Sequence, residues 1–465
     1  MDGAAFGVRD GRLHVEELAC TELAARFGTP LYVVSETRLR SNVRRLGAAL
    51  AAGWPLGSTR LLPSIKANPT LATRAVLTSE GVGCDTFGET ELEMALRAGV
   101  PPALISVNGA SKSAALIGHA VAAGARLTLD SARELPIAEN AAADAGTTAR
   151  VRIRLRPRLD GVESPSDFAS DGTSIREVFQ SYKAGVPIDD AVALGRAAID
   201  SRHIEFVGVH AHLARQTADI GLWRAQIASF ADLLAEMSAS WDGWLPAEID
   251  VGGGWPSPLD PPGRRPAQAR TRPLPADAAD YAHAVAESLA DALRDRGLAR
   301  DGMLLEAEPG RAIYADAGLH LATVTNVKRQ RDPDRRCWIE TDTSEVFLLD
   351  TTLESALFPV VSATWADAEP ALLADVTGIS CNFDVIAPAV AVPDVEPGEV
   401  LAFLETGAYQ EACAANFNGL PRPATVLVCG ATAEVIKRRE TIEDVLGRDI
   451  VPERLHAAAP ARGAA

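Results

Sequence analysis

The segment "LLPSIKANPT" (61–70) places a lysine, Lys66, after a short apolar run, where a buried strand is expected to end. The Ala-Asn-Pro that follows favours a turn. Burying an ammonium group costs several kcal/mol or lowers the pKa of the lysine, so a lysine at this position needs a reason. A desolvated lysine is a good amine nucleophile toward an aldehyde. The segment therefore predicts a reactive lysine beyond a strand end.

Three further groups of residues follow other predicted strands. They are His210 and His212 in "HAHL", the triplet Gly252 to Gly254, and Glu308 with Arg311 in "EAEPGR". A glycine triplet lets backbone N–H groups approach an anion such as a phosphate closely. A carboxylate can keep a heteroaromatic nitrogen protonated, and an imidazole can stack on a ring. Together with an aldehyde-reactive lysine, these groups predict a site for pyridoxal 5′-phosphate (PLP).

Short apolar runs alternate with helical patterns from about residue 36 to residue 310. "PALISVNG" is typical of a strand, "SKSAALIGHAVAAGA" of a helix and "RLTLDS" of the next strand. The alternation predicts an α/β fold with a parallel sheet, and its length suits a (β/α)8 TIM barrel. The active site of such a barrel lies at the carboxyl ends of its strands. The barrel would therefore bring the residues above together.

The pattern changes after residue 316, where predicted strands follow one another without long helices, as in "HLATVTNVKR" and "ATVLVCG". We predict a PLP-binding barrel over residues 36–315. Residues 1–35 and 316–465 are predicted to form a second, mostly β domain, a β-barrel or sandwich. Two irregular segments, 160–174 and 255–275, are predicted loops, and long loops in compact enzymes are often functional. The tail, about 456–465, is predicted to be disordered.

The composition argues against several classes of function. The chain has 465 residues, a net charge of −17 and 47% hydrophobic residues. These values fit a soluble protein with a small-molecule substrate and disfavour nucleic acids and anionic membranes as partners. The six cysteines form no CxxC pair, so we predict no metal site and a reduced protein. No signal-peptide pattern or long apolar segment is found, which favours a cytoplasmic location.

Eight segments, in order along nearly the whole chain, resemble the fold-type III PLP-dependent decarboxylases. This is the group of diaminopimelate and ornithine decarboxylases, built on an alanine-racemase-type barrel. One such segment would be a weak signal, but the ordered set at family-like spacing is specific for the fold and the cofactor. The segments are "FGTPLYVVSETRLRSNVRRL", "SIKANP", "GCDTFGETELEMALRAG", "VGVHAHLARQ", "IDVGGGW", "EAEPGRAI", "GISCNFDVIAP" and "TGAYQEACAANFNGLPRP".

The resemblance implies how the cofactor would be held. Lys66 would form the Schiff base with PLP, and His212 would stack on the ring. Glu308 would pair with the pyridinium nitrogen, which makes the ring a full electron sink. The other residues implied in the cofactor site are Gly252, Gly253, Gly254, Gly310, Arg311, Tyr409, Arg154, Asp85 and Arg215.

The resemblance also implies a homodimer with shared active sites. Cys381 and Tyr409 would come from the second subunit. Cys381 would donate a proton to the product carbanion, and Tyr409 would lie near the cofactor. The catalytic residues would then be Lys66, His212 and Cys381.

Several of these residues also have a purely structural interpretation. Asp85 and Glu91 stand where they would cap or brace the start of a helix, and His210 is expected to be a packed or hydrogen-bonded histidine. Arg154 ends a strand and would either brace the site or serve the fold alone. Cys381 taken by itself would be an inert buried thiol, but its neighbours favour a functional role.

The chain departs from the family pattern near the cofactor. Tyr-Ala often precedes the Val/Ile-Lys of the family, and here the two positions are Pro63 and Ser64. Gly-Ser usually follows the histidine block, and here Ala214 and Arg215 replace it. The lost serine binds phosphate in relatives. Arg215 would substitute for it as a charge-assisted donor, or it would point away.

Larger departures concern the predicted substrate pocket. The glutamate that follows the cysteine in diaminopimelate enzymes is Asn382 here, their tyrosine is Phe358, and their substrate-carboxylate arginine falls at Glu354. We predict that the chemistry is kept and the substrate changed, toward an amino acid or biosynthetic conjugate with a basic or neutral polar distal end. The predicted substrate-binding residues are Arg311, Glu354, Phe358, Asn382, Asp384 and Tyr409.

We therefore expect a PLP-dependent amino-acid decarboxylase. The substrate amine would displace Lys66, the α-carboxylate would leave as CO2, and Cys381 would supply the proton. One alternative is a PLP-dependent racemase or epimerase on the same scaffold, which keeps the carboxylate, so release of CO2 separates the two. The other is a non-catalytic PLP-binding protein. Relatives of that kind typically lack the β domain predicted here.

Overall fold

The computed structural model describes residues 5–159, 176–177, 181–213, 219–257, 277–330, 336–353 and 356–456. The predicted loops at 160–174 and 255–275 lie outside the described residues, apart from 255–257. So does the predicted disordered tail beyond residue 456. Within the described ranges the strands form a small three-stranded sheet, an eight-stranded sheet and a nine-stranded sheet.

The first residues of the chain belong to the β part of the molecule. A small antiparallel sheet contains β1 (Phe6–Arg9), β2 (Arg12–Val15) and β3 (Leu18–Ala19). The next strand, β4 (Leu31–Ser35), is fully buried and lies inside the nine-stranded sheet. The chain therefore leaves the β part at Ser35 and enters the barrel helix that follows.

Eight parallel strands form the barrel, which confirms the predicted β/α alternation. Most of their residues are buried, because helices cover the outside and side chains fill the inside. The strands are β5 (Thr59–Leu61), β6 (Cys84–Thr86), β7 (Ile105–Val107), β8 (Arg126–Leu129), β9 (Ala149–Arg154), β10 (Ile204–His210), β11 (Glu248–Asp250) and β12 (Leu304–Ala307). Their spatial order is β5-β12-β11-β10-β9-β8-β7-β6.

The barrel closes between its first and last neighbours, β5 and β6. The Gly83 N–H donates to the Leu61 carbonyl at 3.1 Å, and just beyond the strands Ser64 and Asp85 form a parallel bridge. A carbon atom at Cβ of Gly83 would lie 2.2 Å from the Leu104 carbonyl oxygen, so only glycine fits there. This seam brings the residues after β5 and β6 side by side.

Helices surround the barrel. The helix Glu36–Ala52 begins where the Ser35 hydroxyl accepts a hydrogen bond from the Arg38 N–H, and it buries Leu39, Val43 and Leu46 along one face. The longer helices are Glu36–Ala52, Leu71–Ser79, Glu89–Arg97, Ala114–Ala123, Glu134–Asp144, Ile188–Asp200, Ile220–Ser240 and Ala278–Asp295. None of the helices within the described ranges is both long and apolar enough to span a bilayer.

The barrel interior contains charges as well as apolar side chains. Arg152 and Arg126 are fully buried, and both pair with Glu306, at 2.5 Å and 2.7 Å between nitrogen and oxygen. Arg152 also lies 2.8 Å from Asp250 Oδ2. Removing one partner of such a pair strands a buried charge and costs about 3–5 kcal/mol. These pairs therefore hold β8, β9, β11 and β12 in register beneath the strand ends.

The nine-stranded sheet makes up the rest of the β part. It packs apolar side chains such as Phe347, Phe358 and Phe403 into one core. The predicted combination of a TIM barrel and a mostly β domain is confirmed. After β4 its strands are β13 (Gly318–Arg329), β14 (Cys337–Thr341), β15 (Val360–Ser362), β16 (Leu372–Thr377), β17 (Val385–Val392), β18 (Val400–Leu404), β19 (Ala424–Cys429) and β20 (Thr432–Lys437).

Several short helices complete the described part of the chain. The first helix, Cys20–Phe27, packs beneath the small sheet. The short ones that concern the site are Arg311–Tyr314, Asp350–Leu353 and Gln410–Cys413. The remaining two, Ile442–Leu446 and Glu453–His456, end the described chain.

Candidate active site

Lys66 lies beyond β5, in a 3-10 turn formed by Ile65–Ala67. Its Nζ donates to Ser64 Oγ at 2.8 Å, lies 3.3 Å from Asp85 Oδ2 and stands 4.5 Å from the centre of the Phe87 ring. The side chain is 43% exposed. The amine therefore faces an open space while its hydrogen bonds reach back to the barrel seam.

The pKa of Lys66 is set by burial and by its charged neighbours. Burial alone lowers the pKa of this lysine, but nearby groups, chiefly the Asp85 carboxylate, outweigh it and raise the pKa above its ordinary value. A lowered pKa, one of the two outcomes expected of a buried lysine, is therefore not found. In the chain without cofactor, Lys66 is an ammonium.

Asp85 ends β6 and is fully buried. It accepts hydrogen bonds from Ser64 Oγ at 2.6 Å and from Asn108 Nδ2 at 2.6 Å. Asp85 does not cap the following helix, whose N-cap is Gly88. Glu91 is the residue that braces this helix start, because its carboxylate accepts from the Phe87 N–H at 2.7 Å. Asp85 instead links Lys66 to the strand ends.

Glu308 follows β12 and continues the same chain of hydrogen bonds. Asn108 Nδ2 donates to Glu308 Oε1 at 2.5 Å, and His210 Nε2 lies 3.4 Å from Glu308 Oε2. Asp250 lies beside Glu308, since one oxygen of each carboxyl group and a ring nitrogen of His210 are within 4.8 Å of one another. Burial raises the pKa of both groups; repulsion from Glu308 adds to the rise at Asp250, and repulsion from Asp85 adds to the rise at Glu308. Burial therefore favours the protonated form of this acid pair at the barrel mouth.

The two histidines after β10 differ. His210 is fully buried, burial lowers its pKa to about 3, and the ring is neutral. It contacts Glu308, as expected for a packed, hydrogen-bonded histidine. His212 is only partly buried, and its Nδ1 accepts from the Gly253 N–H at 3.4 Å. His212 is thus the histidine that stands at the rim of the glycine turn.

The turn at Gly252 and Gly253 lies so close to neighbouring residues that a side chain would not fit at either position. Gly252 has φ +70°, and a Cβ there would lie 2.5 Å from His212 Nδ1. A Cβ on Gly253 would lie 2.2 Å from the Glu308 carbonyl oxygen, and one on Gly310 would lie 2.8 Å from the Tyr409 hydroxyl. The turns after β11 and β12 therefore meet through backbone alone, which is the kind of surface that an anion requires.

Tyr409 lies at the site of its own chain. Its N–H donates to the Ala67 carbonyl at 2.7 Å, and its ring centre is 5.0 Å from the Arg311 guanidinium carbon. Its backbone has φ +68°, which is rare for a tyrosine and fixed by this docking. The prediction that a second subunit supplies Tyr409 was wrong. The β part of each chain folds back on its own barrel at this point.

Cys381 stands apart from this cluster. It is exposed, and its N–H donates to Asn418 Oδ1 at 2.9 Å. Asp384 holds the same loop: its two oxygens accept from the backbone N–H groups of Glu345 at 2.6 Å and Ser380 at 2.7 Å. This geometry favours a structural role for Asp384 over the predicted substrate contact. No hydrogen bond among the described residues joins the Cys381 loop to Lys66.

The remaining predicted site residues are dispersed. Arg154 ends β9, and its guanidinium carbon is 5.8 Å from the centre of the Tyr182 ring. Asn382 donates to the Glu345 carboxylate, and Phe358 is buried in the core of the nine-stranded sheet. Arg215 and Glu354, both predicted site residues, lie outside the described residues.

Arg311 has a partner that the sequence did not reveal. Its Nη2 lies 3.0 Å from Asp350 Oδ2, and both residues are buried. Two further residues of the cluster were not predicted from the sequence: Asn108, near the end of a predicted strand and before a glycine, and Asp250, two residues before the glycine triplet. Position at a strand end was a usable signal for these two. Asp350 offered none, because it meets Arg311 only through the tertiary fold.

A family model described as "Pyridoxal-dependent decarboxylase, pyridoxal binding domain" matches residues 41–315. This segment holds all eight barrel strands, Lys66 and Glu308. The fold and the match define the class as PLP-dependent enzymes of the alanine-racemase-type barrel. The chain belongs to the pyridoxal-dependent decarboxylase family.

Relatives match over almost the whole chain. A diaminopimelate decarboxylase from Methanothermobacter thermautotrophicus is 30% identical over 96% of this chain and 97% of its own. One from Archaeoglobus fulgidus is 28% identical over 97% of this chain and 100% of its own. The crystal structure of diaminopimelate decarboxylase from M. jannaschii in complex with L-lysine superposes with a TM-score of 0.84 at 25% identity, covering 98% of this chain and 100% of that one.

These similarities confirm the resemblance seen in the sequence. The chain is a PLP-dependent amino-acid decarboxylase, and the alternatives of a racemase and of a non-catalytic PLP-binding protein are disfavoured. The residues present fit the cofactor. A partly exposed lysine and an acid pair lie at the barrel mouth, and Gly252, Gly253 and Gly310 leave backbone uncovered by side chains in the turns beside them.

Proposed function

We propose that the enzyme removes the α-carboxylate of an amino acid whose distal end is basic or neutral, and that it works as a homodimer in the cytoplasm. The observation that carries the proposal is a continuous path of hydrogen bonds from Lys66 through Ser64, Asp85 and Asn108 to Glu308. This path joins the amine that would bind the aldehyde to the acid that would bind the ring nitrogen. Six unpaired cysteines support a reducing location.

Each end of that path has a distinct task in the proposed mechanism. Lys66 would bind the cofactor covalently, and Glu308 would pair with the protonated ring nitrogen. His212 would stack on the ring, and Gly252 to Gly254 with Gly310 would receive the phosphate through backbone N–H groups. When bound, PLP takes up the electron pair left behind by the departing carboxylate. Arg215 remains a candidate phosphate ligand.

The cofactor assignment is tested by reduction with borohydride. The expected result is one pyridoxyl group per chain, found by peptide mass spectrometry on the peptide that contains Lys66. Lys112 provides an internal control, because it is a buried lysine that pairs with Glu134 at 2.9 Å and donates to two backbone carbonyls. A pyridoxyl group on any lysine other than Lys66 would overturn the assignment.

The proposed homodimer rests on the surface around Cys381. Three apolar side chains are exposed in and beside its loop: Ile379 at 50%, Phe383 at 96% and Phe417 at 48%. An exposed apolar group of this kind marks an interaction surface. If a second copy covers it, the Cys381 thiol faces that copy's barrel mouth. There Cys381 donates its proton to the carbon that has lost the carboxylate.

The proposed substrate class follows from charge. Asp350 neutralises Arg311, the arginine of the "EAEPGR" segment, and Glu345 places a second carboxylate beside Asn382. The sequence adds Glu354 where relatives carry a carboxylate-binding arginine. A distal carboxylate would meet like charges in a poorly hydrated cleft, whereas a distal amine or guanidine would be attracted.

The second candidate substrate is diaminopimelate. It is favoured by one observation, namely that the relatives at 25–30% identity over nearly the whole chain are diaminopimelate decarboxylases. Diaminopimelate carries a distal amine as well as a distal carboxylate. The two candidates therefore differ in whether the second carboxylate is accepted.

Kinetics with four substrates separates the candidates. We expect kcat/KM for lysine, ornithine or arginine to exceed that for diaminopimelate by at least about tenfold. Glu354→Arg should narrow or reverse this preference, whereas Glu434→Arg, a charge reversal on the exposed face of β20, should not. A wild-type preference for diaminopimelate would contradict the first candidate and favour the second.

A further inference from the structure

We propose that Ser64, together with Asp85 and the ring of Phe87, forms a holding site for the Lys66 ammonium, and that Ser64 thereby sets how readily a substrate amine displaces Lys66. The inference rests on the proposed role of Lys66 as the cofactor lysine. It concerns a position at which the family often carries alanine and this chain carries serine.

In the holding site Lys66 is closer to the Ser64 hydroxyl than to the Asp85 carboxylate. Lys66 Nζ donates to Ser64 Oγ at 2.8 Å, and Ser64 Oγ donates to Asp85 Oδ2 at 2.6 Å. The direct distance from Lys66 Nζ to Asp85 Oδ2 is 3.3 Å. The Ser64 hydroxyl therefore makes the two short hydrogen bonds, one to Lys66 and one to Asp85, and the Asp85 carboxylate supplies the opposing charge. The Phe87 ring, 4.5 Å from Nζ, covers another side of the ammonium.

The barrel seam fixes the three groups. Ser64 and Asp85 form the parallel bridge that closes the barrel, and the Ser64 N–H donates to the Pro309 carbonyl at 3.2 Å. Ser64 is 1% exposed, so water does not compete for its hydroxyl. Phe87 depends on Gly109, where a Cβ would lie 2.9 Å from the Phe87 ring and the backbone has φ +95°. The holding site is thus built into the ends of β5, β6 and β7.

Displacement of Lys66 ends with an ammonium at this site. The bond from Lys66 Nζ to the cofactor carbon breaks, and a bond from the substrate nitrogen to the same carbon forms. Two protons pass from the substrate nitrogen to Lys66 Nζ, so charge and atoms balance. Ser64 Oγ then accepts a hydrogen bond from the released ammonium, and Asp85 opposes its charge. Stabilising this product favours displacement and keeps Lys66 from returning before the reaction is complete.

The pKa of Lys66 and the equilibrium constant for its displacement by a substrate amine should change together. The same ammonium is the protonated form of free Lys66 and the product of displacement. Where Ser64 stabilises the ammonium form alone, loss of this hydrogen bond lowers the pKa of Lys66 and, below that pKa, lowers the displacement constant by the corresponding factor. Ser64→Ala removes one hydrogen bond to a charged group, so we expect the pKa of Lys66 to fall by about one unit and the displacement constant to fall about tenfold.

The first measurement uses the full chain without cofactor. Lys66 is labelled with acetic anhydride across a pH series, and the extent of labelling is read by peptide mass spectrometry. The pKa of Lys66 should fall in Ser64→Ala and fall less in Ser64→Cys, which keeps a weak donor and similar size. Ser35→Ala is the matched control, because the Ser35 hydroxyl is buried and donates to Glu16 Oε1 at 2.7 Å in the other sheet. It should leave the pKa of Lys66 unchanged.

The second measurement titrates the PLP-loaded proteins with methylamine and follows the cofactor absorbance. The displacement constant should fall by the same factor by which the acid dissociation constant of Lys66 rises. Unchanged constants in a folded Ser64→Ala, or factors that differ clearly, would overturn the inference. A PLP group on a lysine other than Lys66 in the wild type would instead overturn the proposed function. The first measurement would still test the effect of Ser64 on the pKa of Lys66, because it uses the chain without cofactor.

Discussion

The Lys66 cluster and the Cys381 loop are built in opposite ways. Lys66 is tied to Ser64, Asp85, Asn108 and Glu308 by hydrogen bonds that all lie within one chain, and its partners are buried. Cys381 is held only through the backbone of its loop and is exposed. The neighbouring Phe383 is 96% exposed.

This difference indicates which half of the proposed site is complete. Buried polar groups that satisfy one another keep their positions without a partner chain. An exposed thiol beside exposed apolar side chains has no such environment in a single chain. The contrast supports a site whose cofactor half, with Tyr409, is internal to each chain and whose proton-donating half comes from a second copy.

Lys66→Ala should have the largest effect on activity. Without the amine the cofactor has no covalent attachment, and we expect kcat to fall on the order of 10⁴-fold. The circular dichroism spectrum should be unchanged, because the Lys66 side chain is 43% exposed and closes no part of the barrel. Lys437→Ala, which removes an exposed lysine paired with Glu411, is the control and should keep full activity. Substantial turnover by Lys66→Ala would contradict the assignment of Lys66 as the cofactor lysine.

Cys381→Ala should have the next largest effect. Loss of a general acid typically lowers the rate by about 10²–10⁴-fold. We expect PLP to bind as before, because no cofactor contact involves the Cys381 loop in our account. Cys429→Ala removes the other exposed cysteine of the β part and should leave kcat unchanged. Equal activity of the two variants would show that Cys381 is not the proton donor.

Phe383→Asp should weaken self-association without affecting the fold. If a second copy covers this side chain, burying a carboxylate in its place should raise the dimer dissociation constant at least about tenfold. Analytical ultracentrifugation over a concentration series measures this constant. Ile450→Asp changes an equally exposed apolar side chain, 89% exposed, in the last segment of the described chain. If both variants dimerise like the wild type, the Cys381 surface is not the interface.

The smallest expected effect is on the pH dependence of stability of the cofactor-free protein, and Glu308→Gln tests it. A carboxyl group whose pKa is raised in the folded state holds its proton more tightly when folded, so stability falls as pH rises from its ordinary pKa toward the raised one. For Glu308 this window runs from 4.5 to about 7. Between pH 5 and pH 8, the Tm of the cofactor-free wild type should fall by about 2 °C more than that of Glu308→Gln. Parallel curves would contradict a protonated acid pair.

The sequence predicted the parts of the site that depend on strand ends. Lys66, Glu308 and the glycine triplet converge because parallel strands of one barrel end at one rim. The acidic partners of Lys66 and Arg311 were not predictable in the same way. Asp85 reaches Lys66 only because β5 and β6 close the barrel, and Asp350 meets Arg311 only after the β part has folded back.

The error on Tyr409 has a related cause. The order of segments along the chain showed that Tyr409 belongs to the site. It does not show whether the segment docks on the barrel of its own chain or on that of a second subunit. The hydrogen bond from the Tyr409 N–H to the Ala67 carbonyl, 2.7 Å within one chain, decides this. The sequence pattern assigned both Cys381 and Tyr409 to the second subunit. In the structure Tyr409 docks on the barrel of its own chain, whereas Cys381 is exposed.

The most direct test of a shared site is to mix two inactive variants. Each homodimer of Lys66→Ala lacks the cofactor amine, and each homodimer of Cys381→Ala lacks the proton donor. After random exchange of subunits, half of the dimers are mixed, and each mixed dimer has one intact site if Cys381 acts across the interface. We expect recovery of up to about a quarter of wild-type activity. No recovery despite demonstrated exchange, or full activity of a monomer, would contradict it.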